Sequence, residues 1–244
     1  MRQTRSFQFD TQSQAVRRGV REAMGVPAVV MAASFLGFGA LVRESGFPLW
    51  FGLASTATGW ALPGQVALVE LLSVGASIVA IISVVALTNA RLLPMTVALV
   101  PLLRVPGYRR WVYYVASHWI AVTAWAELMR NGHAIDRAWR LPYFFGYAIT
   151  LWAATLIATA VGFLMAGGLP AYVTLGLVFI NPIYFMLVFA ADLRQRAKIL
   201  ALAFGAVLGP LLHLATPDWG LVIAGFLAGS LAFAVDRLLK RRSV

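Results

Sequence analysis

Asn89-Ala90-Arg91 stands at the centre of an otherwise uncharged stretch, with twelve apolar or small residues leading in from Ser77 and twelve more running out to Leu103. A guanidinium at the middle of a bilayer costs roughly 2.5–3.5 kcal/mol on insertion scales, so an arginine is kept there where it faces a polar cavity and has an anion to bind. Helix on either side of that length amounts to about 18 Å, too far for the side chain to reach a headgroup. Asn89 adds an amide, and Pro94 has no N–H to give the carbonyl of Ala90, which predicts a free acceptor beside the charge. The same chemistry recurs twice. Pro63 withholds an N–H from the carbonyl of Gly59, with Gln65 close by, and Asn181-Pro182 does the same for the carbonyl of Val178. His118 lies in a further apolar stretch and titrates near neutral pH, which suits a proton-coupling role. Amides, freed carbonyls, one cation and one imidazole form a binding set. They are not a covalent catalyst.

The elements that must position these groups are membrane helices. The chain is 61% hydrophobic and 12% charged over 244 residues, a balance that cannot be arranged as a soluble globule. The formal net charge of +11 would suggest nucleic acid in a soluble chain, but the basic residues flank apolar runs instead of forming one basic face, so they report orientation. Cysteine is absent, which excludes disulfides, thiolate metal sites and a thiol nucleophile. Residues 1–24 read as a basic cytoplasmic segment without the apolar core of a removable signal peptide.

The hydrophobic pattern predicts an all-α integral membrane protein with eight transmembrane helices, about 25–42, 49–69, 77–103, 109–129, 143–165, 170–191, 197–215 and 219–236. Some of these are interrupted at the midplane. A permease domain over 25–236 and a basic tail over 237–244 complete the organisation, with no second domain. With both termini cytoplasmic, fifteen basic residues fall inside and four outside, the four being Arg43, Arg104, Arg109 and Arg110. The Arg104–Arg110 cluster strains this count and keeps a re-entrant third segment, or seven spans, open as the alternative. An internal two-fold repeat is also suggested. Gly46-Phe47-Pro48-Leu49-Trp50 and Gly168-Leu169-Pro170-Ala171-Tyr172 both open apolar spans, 122 positions apart, and the same offset carries Gly59 onto Asn181 and Arg91 onto His213.

Blander roles compete for each residue. Arg91 could pair with Glu70 or Glu127, and the amides could bond between helices. Glu44, Glu70, Glu127 and Asp218 fall at span ends and read as solvated boundary charges, while Trp119, Trp125, Trp139, Trp152 and Trp219 read as interface anchors or lipid-facing bulk. Gly75-Ala76-Ser77-Ile78 resembles the serine turn of intramembrane rhomboid proteases, but the accompanying loop motif comes after it and not before. His118, His133 and His213 form no HExxH pattern, no phosphate-binding loop is present, and neither a metal nor a cofactor is expected.

From Val20 to Asp236 the chain resembles the AzlC family of branched-chain amino acid exporters. The resemblance rests on Gly37-Phe38-Gly39, on Ser45-Gly46-Phe47-Pro48-Leu49, on Gly64-Gln65, on Asn89-Ala90-Arg91-Leu92-Leu93 and on Pro182. It departs where the family carries a proline early in its first span, here Ala33 or Ser34, and where an acidic pair is replaced by Ser117-His118-Trp119. The resemblance implies a secondary transporter of the inner membrane that exports branched-chain or related apolar amino acids with a small AzlD-like membrane subunit. The alternative is a non-transporting membrane protein, either an enzyme or an accessory subunit. On this reading Arg91 and Gln65 serve the substrate carboxylate, Asn89, Asn181 and the carbonyls of Gly59, Ala90 and Val178 serve the ammonium, and His118 replaces the missing acids.

Overall fold

The computed structural model of the chain describes residues 9–105, 107–168, 170, 172–173, 175–176, 196–215 and 220–242. These are all-helical and divide into two compact units, 1–181 and 182–244.

In the first unit, α1 (Gln12–Ala23) is an amphipathic helix opened by Thr11, whose hydroxyl accepts from the Gln14 amide, and it buries Ala15, Gly19 and Ala23. After a two-residue joint it continues into the apolar α2 (Val26–Glu44). Both lie against α9 (Arg140–Met165) through reciprocal small residues. A Cβ on Gly19 would strike the Tyr143 carbonyl, and one on Gly146 the carbonyl of Val16. Further along, Gly39 faces the Thr159 carbonyl and Gly162 that of Leu36. Without apolar solvent to expel, membrane helices associate through such close backbone approach. Gly19 meets the start of α9 and Gly39 its end, so the path from α1 through α2 follows the direction of α9. At the far end Arg43 Nη1 donates to the carbonyls of Phe163 and Leu164, at 3.1 and 3.2 Å, closing the C-terminus of α9.

The predicted second span is two helices, α3 (Leu49–Gly59) and α4 (Leu62–Ser73), broken where Gly59 and Pro63 fall. Gln65 Nε2 donates to Ser55 Oγ at 2.7 Å and to Thr56 Oγ1 at 3.1 Å. In a straight helix ten residues would separate these side chains by about 15 Å, so the chain folds back at Trp60. Turns at Gly46 (φ 79°) and Gly75 (φ 69°) join this hairpin to α2 and to α5 (Ile78–Asn89). Gly64 packs against the Asn89 amide, so α5 returns alongside α4.

The third predicted span is present as α5 and α6 (Leu92–Leu103), a 26-residue run from Ile78 to Leu103. Ala90 and Arg91 keep helical dihedrals. The Ala90 carbonyl, expected to be free, accepts from the Leu93 N–H at 3.1 Å, so Pro94 tightens the helix locally and does not unwind it.

The predicted span 109–129 is folded as a hairpin. It consists of α7 (Arg110–His118) and α8 (Val122–Asn131), nine and ten residues long, each about 14–15 Å or half the depth of a bilayer core. Both ends lie beside the end of α6. Tyr113 Oη bonds the backbone of Val105, Gly132 packs on the Leu102 side chain, and Arg137 Nε donates to the Arg104 carbonyl at 2.9 Å. Among the described residues the first unit therefore has three long apolar helices, Val26–Glu44, Ile78–Leu103 and Arg137–Met165, the last including the turn before α9. Two half-depth hairpins enter from opposite ends. Gly46 and Gly107 (φ 100°) precede the two hairpins at equivalent places, 61 positions apart (107 − 46), and each follows a long helix, with opposite sense. The 122-residue correspondence involves Asn181, which lies outside the described residues.

In the second unit α10 (Arg196–Ala215) and α11 (Gly220–Arg242) match the last two predicted spans and pack along one another. Ala224, Ala228, Ala232 and Asp236 form a buried stripe on α11. The predicted span 170–191 lies largely outside the described residues.

Because the chain has no cysteine, single cysteines can test the hairpins directly. Ser45→Cys and Val74→Cys are expected to react with an impermeant maleimide from one side of the membrane, and Arg109→Cys and His133→Cys from the other. Labelling of Ser45→Cys together with Arg109→Cys, but not Val74→Cys, would restore five crossing helices.

Candidate functional site

The two hairpin tips meet at the middle of α9. Because α3 stops at Gly59, its last carbonyls have no helical partner. That of Ala57 accepts from His118 Nε2 at 2.9 Å and from Trp152 Nε1 at 3.4 Å. A carbonyl only accepts, so Nε2 of His118 carries a proton here. His118 is the last residue of α7, so this one contact joins the tip of the first hairpin to the tip of the second.

Beside it runs an ordered chain of hydroxyls. Thr159 Oγ1 donates to the Thr155 carbonyl at 2.8 Å, so it can only accept from Thr56 Oγ1, 3.3 Å away, and Thr56 must in turn accept from Gln65 Nε2. Thr155 Oγ1 likewise gives its proton to the Trp152 carbonyl and accepts from Trp60 Nε1 at 3.0 Å. This sequence of donors fixes the Gln65 amide. Its Oε1 is left buried without a partner, and Gln65 is 4% exposed.

Four other buried polar atoms are also unpartnered among the described residues: Asn89 Oδ1, Trp119 Nε1, Thr123 Oγ1 and Trp125 Nε1. All five belong to the helix interruptions. Gln65 lies in the first turn of α4, and Asn89 ends α5 against Gly64. Trp119 follows α7, and Thr123 and Trp125 lie in the first turn of α8. Neither α4 nor α8 has a side-chain cap, so the free N–H groups of both first turns also point out of the helix ends. An unpaired polar atom inside a protein costs about 1–3 kcal/mol, so unpartnered acceptors and donors at the helix interruptions mark places where a polar ligand or water completes the bonding.

Gln65, Asn89, Gly59 and His118 thus fall at or near the interruptions, His118 at the end of a helix and not inside the span expected from the sequence. Arg91 does not point into the core. It is exposed on the α5–α6 helix and makes no hydrogen bond or ion pair among the described residues; Ala90 is exposed beside it. The pairing of Arg91 with Glu70 or Glu127 is absent. Val178 and Asn181 lie outside the described residues.

Glu127, read from the sequence as a solvated boundary charge, is 6% exposed. It accepts from Arg130 Nη2 at 2.8 Å and Asn131 Nδ2 at 2.6 Å. Tyr143 Oη lies between it (3.4 Å) and Glu22 (2.9 Å), and Glu22 pairs with Arg18 at 2.6 Å. This network fastens α1, α8 and α9 together at the end where α1 lies. Trp119 and Trp152 are likewise not lipid-facing anchors, since their rings pack edge to face at 6.1 Å between the tips. Sequence reading missed Thr56, Thr155, Thr159, Trp60 and Thr123. The one signal available was the Thr155/Thr159 pair, four residues apart on an otherwise apolar helix.

Such a structure, with interrupted helices meeting at mid-depth around unsatisfied polar atoms, is of the kind from which secondary transporters build binding sites. The chain belongs to the AzlC family: the family model described as AzlC protein matches residues 27–169, more than half of the 244 residues, from α2 through α9. Membership makes it a membrane protein of a transport family. No curated protein and no solved structure matches the chain.

The hydroxyl chain predicts a specific weakness. Thr159→Val keeps the shape but removes the acceptor for Thr56, and is expected to cost about 1–3 kcal/mol, read as a lowered melting temperature of the detergent-solubilised protein. An unchanged melting temperature would show that the chain of bonds does not hold the first hairpin to α9.

Proposed function

We propose that this protein is a secondary transporter that exports branched-chain or related apolar amino acids across the inner membrane by alternating access between its hairpin tips. The observation that carries this reading is the set of five unpartnered polar atoms at the interruptions. A zwitterion needs acceptors for its ammonium and donors for its carboxylate. Gln65 Oε1, Asn89 Oδ1 and the carbonyl end of α3 at Gly59 supply the first. Thr123 Oγ1, the Trp119 and Trp125 indoles and the open N-terminus of α8 supply the second. No charged side chain is bonded into the network of the tips, which favours a ligand of zero net charge, because a net charge would be desolvated without compensation.

Each hairpin closes the site from one end, and the His118–Ala57 bond is the contact that has to open. Protonation of His118 at Nδ1 would place a positive charge between the tips, a means of coupling transport to the proton gradient. Arg91, on the outer face of α5–α6, is placed to meet a substrate carboxylate arriving along that helix, and a small AzlD-like subunit would shield it from lipid. The orientation follows from charge. Three arginines on α1, three in 104–110 and three in 130–140 lie at one end of the first unit, against Arg43 at the other, so the α1 end is cytoplasmic. The basic run Arg237 to Arg242 supports a cytoplasmic C-terminus.

Counterflow of labelled leucine in proteoliposomes, with and without the small subunit, tests the assignment; absence of flux for every apolar amino acid under both conditions would refute it. His118→Gln can still donate to Ala57 but cannot titrate, and is expected to flatten the pH dependence of flux while leaving folding intact. A retained pH profile would remove His118 from coupling. Arg91→Met is expected to abolish transport with normal expression, since no buried acid is left stranded. Normal flux in that variant would remove Arg91 from the site.

A further inference from the structure

Between α6 and α7 the first unit opens a cavity of about 860 Å³, which runs from the Arg104–Arg110 end of these helices to Ser117, the neighbour of His118. Its mouth carries Arg104, Arg110 and Arg137, its middle Tyr108, Tyr113 and Tyr114, and its α6 wall Val97, Val100 and Pro101. No carboxylate lines it, and none of the three guanidiniums takes part in an ion pair among the described residues. Three like charges around one space repel one another, and at the edge of a low-dielectric membrane that repulsion is poorly screened. One of the arginines, Arg137, is held in place, as is the backbone beside Arg104. Arg137 Nε is tied to the Arg104 carbonyl at 2.9 Å, and Tyr113 Oη bonds both the N–H and the carbonyl of Val105 at 3.0 Å. The remaining N–H groups of Arg137 stay available.

We propose that this cavity binds an anionic phospholipid, with the phosphate among the three arginines and the upper acyl chain along Val97 and Pro101. The order of chemistry from the end of α6 inward is cation, phenol, aliphatic wall, which is the order phosphate, ester, acyl chain of a lipid in its leaflet. A free anion would use the arginines but not the wall. The wall is open to the side: Val97 is 66% and Tyr114 77% exposed. A lipid seated there bridges α6, α7 and the segment before α9, and so braces the mouth of the second hairpin. The site stands on this geometry alone and does not depend on the transported substrate.

The full-length protein, purified in detergent and examined by native mass spectrometry, is titrated with phosphatidylglycerol, with phosphatidylcholine of the same acyl chains, and with inorganic phosphate. Retention of phosphatidylglycerol well above phosphatidylcholine is expected. In Arg104→Gln/Arg110→Gln it should weaken about ten- to thirty-fold, from roughly 1 kcal/mol per arginine. Arg104→Lys/Arg110→Lys keeps the charge and should retain most of the preference, which separates lipid binding from misfolding. Equal retention of the two lipids, or an unchanged preference in the Gln variant, overturns the proposal. Displacement of phosphatidylglycerol by equimolar inorganic phosphate would show a plain phosphate site and overturn the lipid assignment, whereas no displacement supports it.

Discussion

A membrane interior offers no water, so a helix that stops halfway across must find partners for the carbonyls and N–H groups it leaves behind. The first unit is organised around one such debt, the carbonyl of Ala57 at the end of α3. His118 and Trp152 settle it, and in doing so they bring the second hairpin and the middle of α9 to the same place. Were α3 to continue, Ala61 would bond Ala57, and neither the contact between tips nor the fold-back that lets Gln65 reach Thr56 would exist.

Helix α9 is the element against which these parts are set. Its glycines admit the backbones of α1 and α2 at two levels, Gly146 and Gly162, while Thr155 and Thr159 between them receive the first hairpin. The division is physical. Small residues give close backbone packing where α1 and α2 meet α9, and hydroxyls give exchangeable bonds where the first hairpin meets it. Glu127 and Tyr143 secure the α1 end with a third kind of contact, charge-assisted and buried, so the second hairpin is tied at its base by charge and at its tip by the bond from His118 to Ala57.

The charge distribution becomes coherent once 110–131 is a hairpin. As a crossing helix it would carry Arg104, Arg109 and Arg110 to the side opposite Arg130, Arg137 and Arg140, against the usual bias of basic loops. As a hairpin it returns to its starting end. The bond from Arg137 to the Arg104 carbonyl records that return. The arginines that strained the linear reading are then part of one basic end.

The sequence by itself determined that this is a helical membrane protein, where its long apolar helices lie, and that the helix of the second span breaks between Gly59 and Pro63. Hydrophobic length and proline chemistry are local, and they survive translation into structure without help from the rest of the chain. It also carried enough of the family pattern for membership to be read from Gly64-Gln65 and Asn89-Ala90-Arg91. Tertiary structure alone decided whether an interrupted apolar run crosses or turns back. No proline or glycine marks the break at Trp119, which forms because that ring packs against Trp152 and His118 finds the Ala57 carbonyl, partners 33 and 61 positions away (152 − 119 and 118 − 57). The same holds for Arg91 and Glu127. Their charge was legible, but which one faces outward and which is enclosed depends on neighbours from distant segments, and no local pattern encodes them.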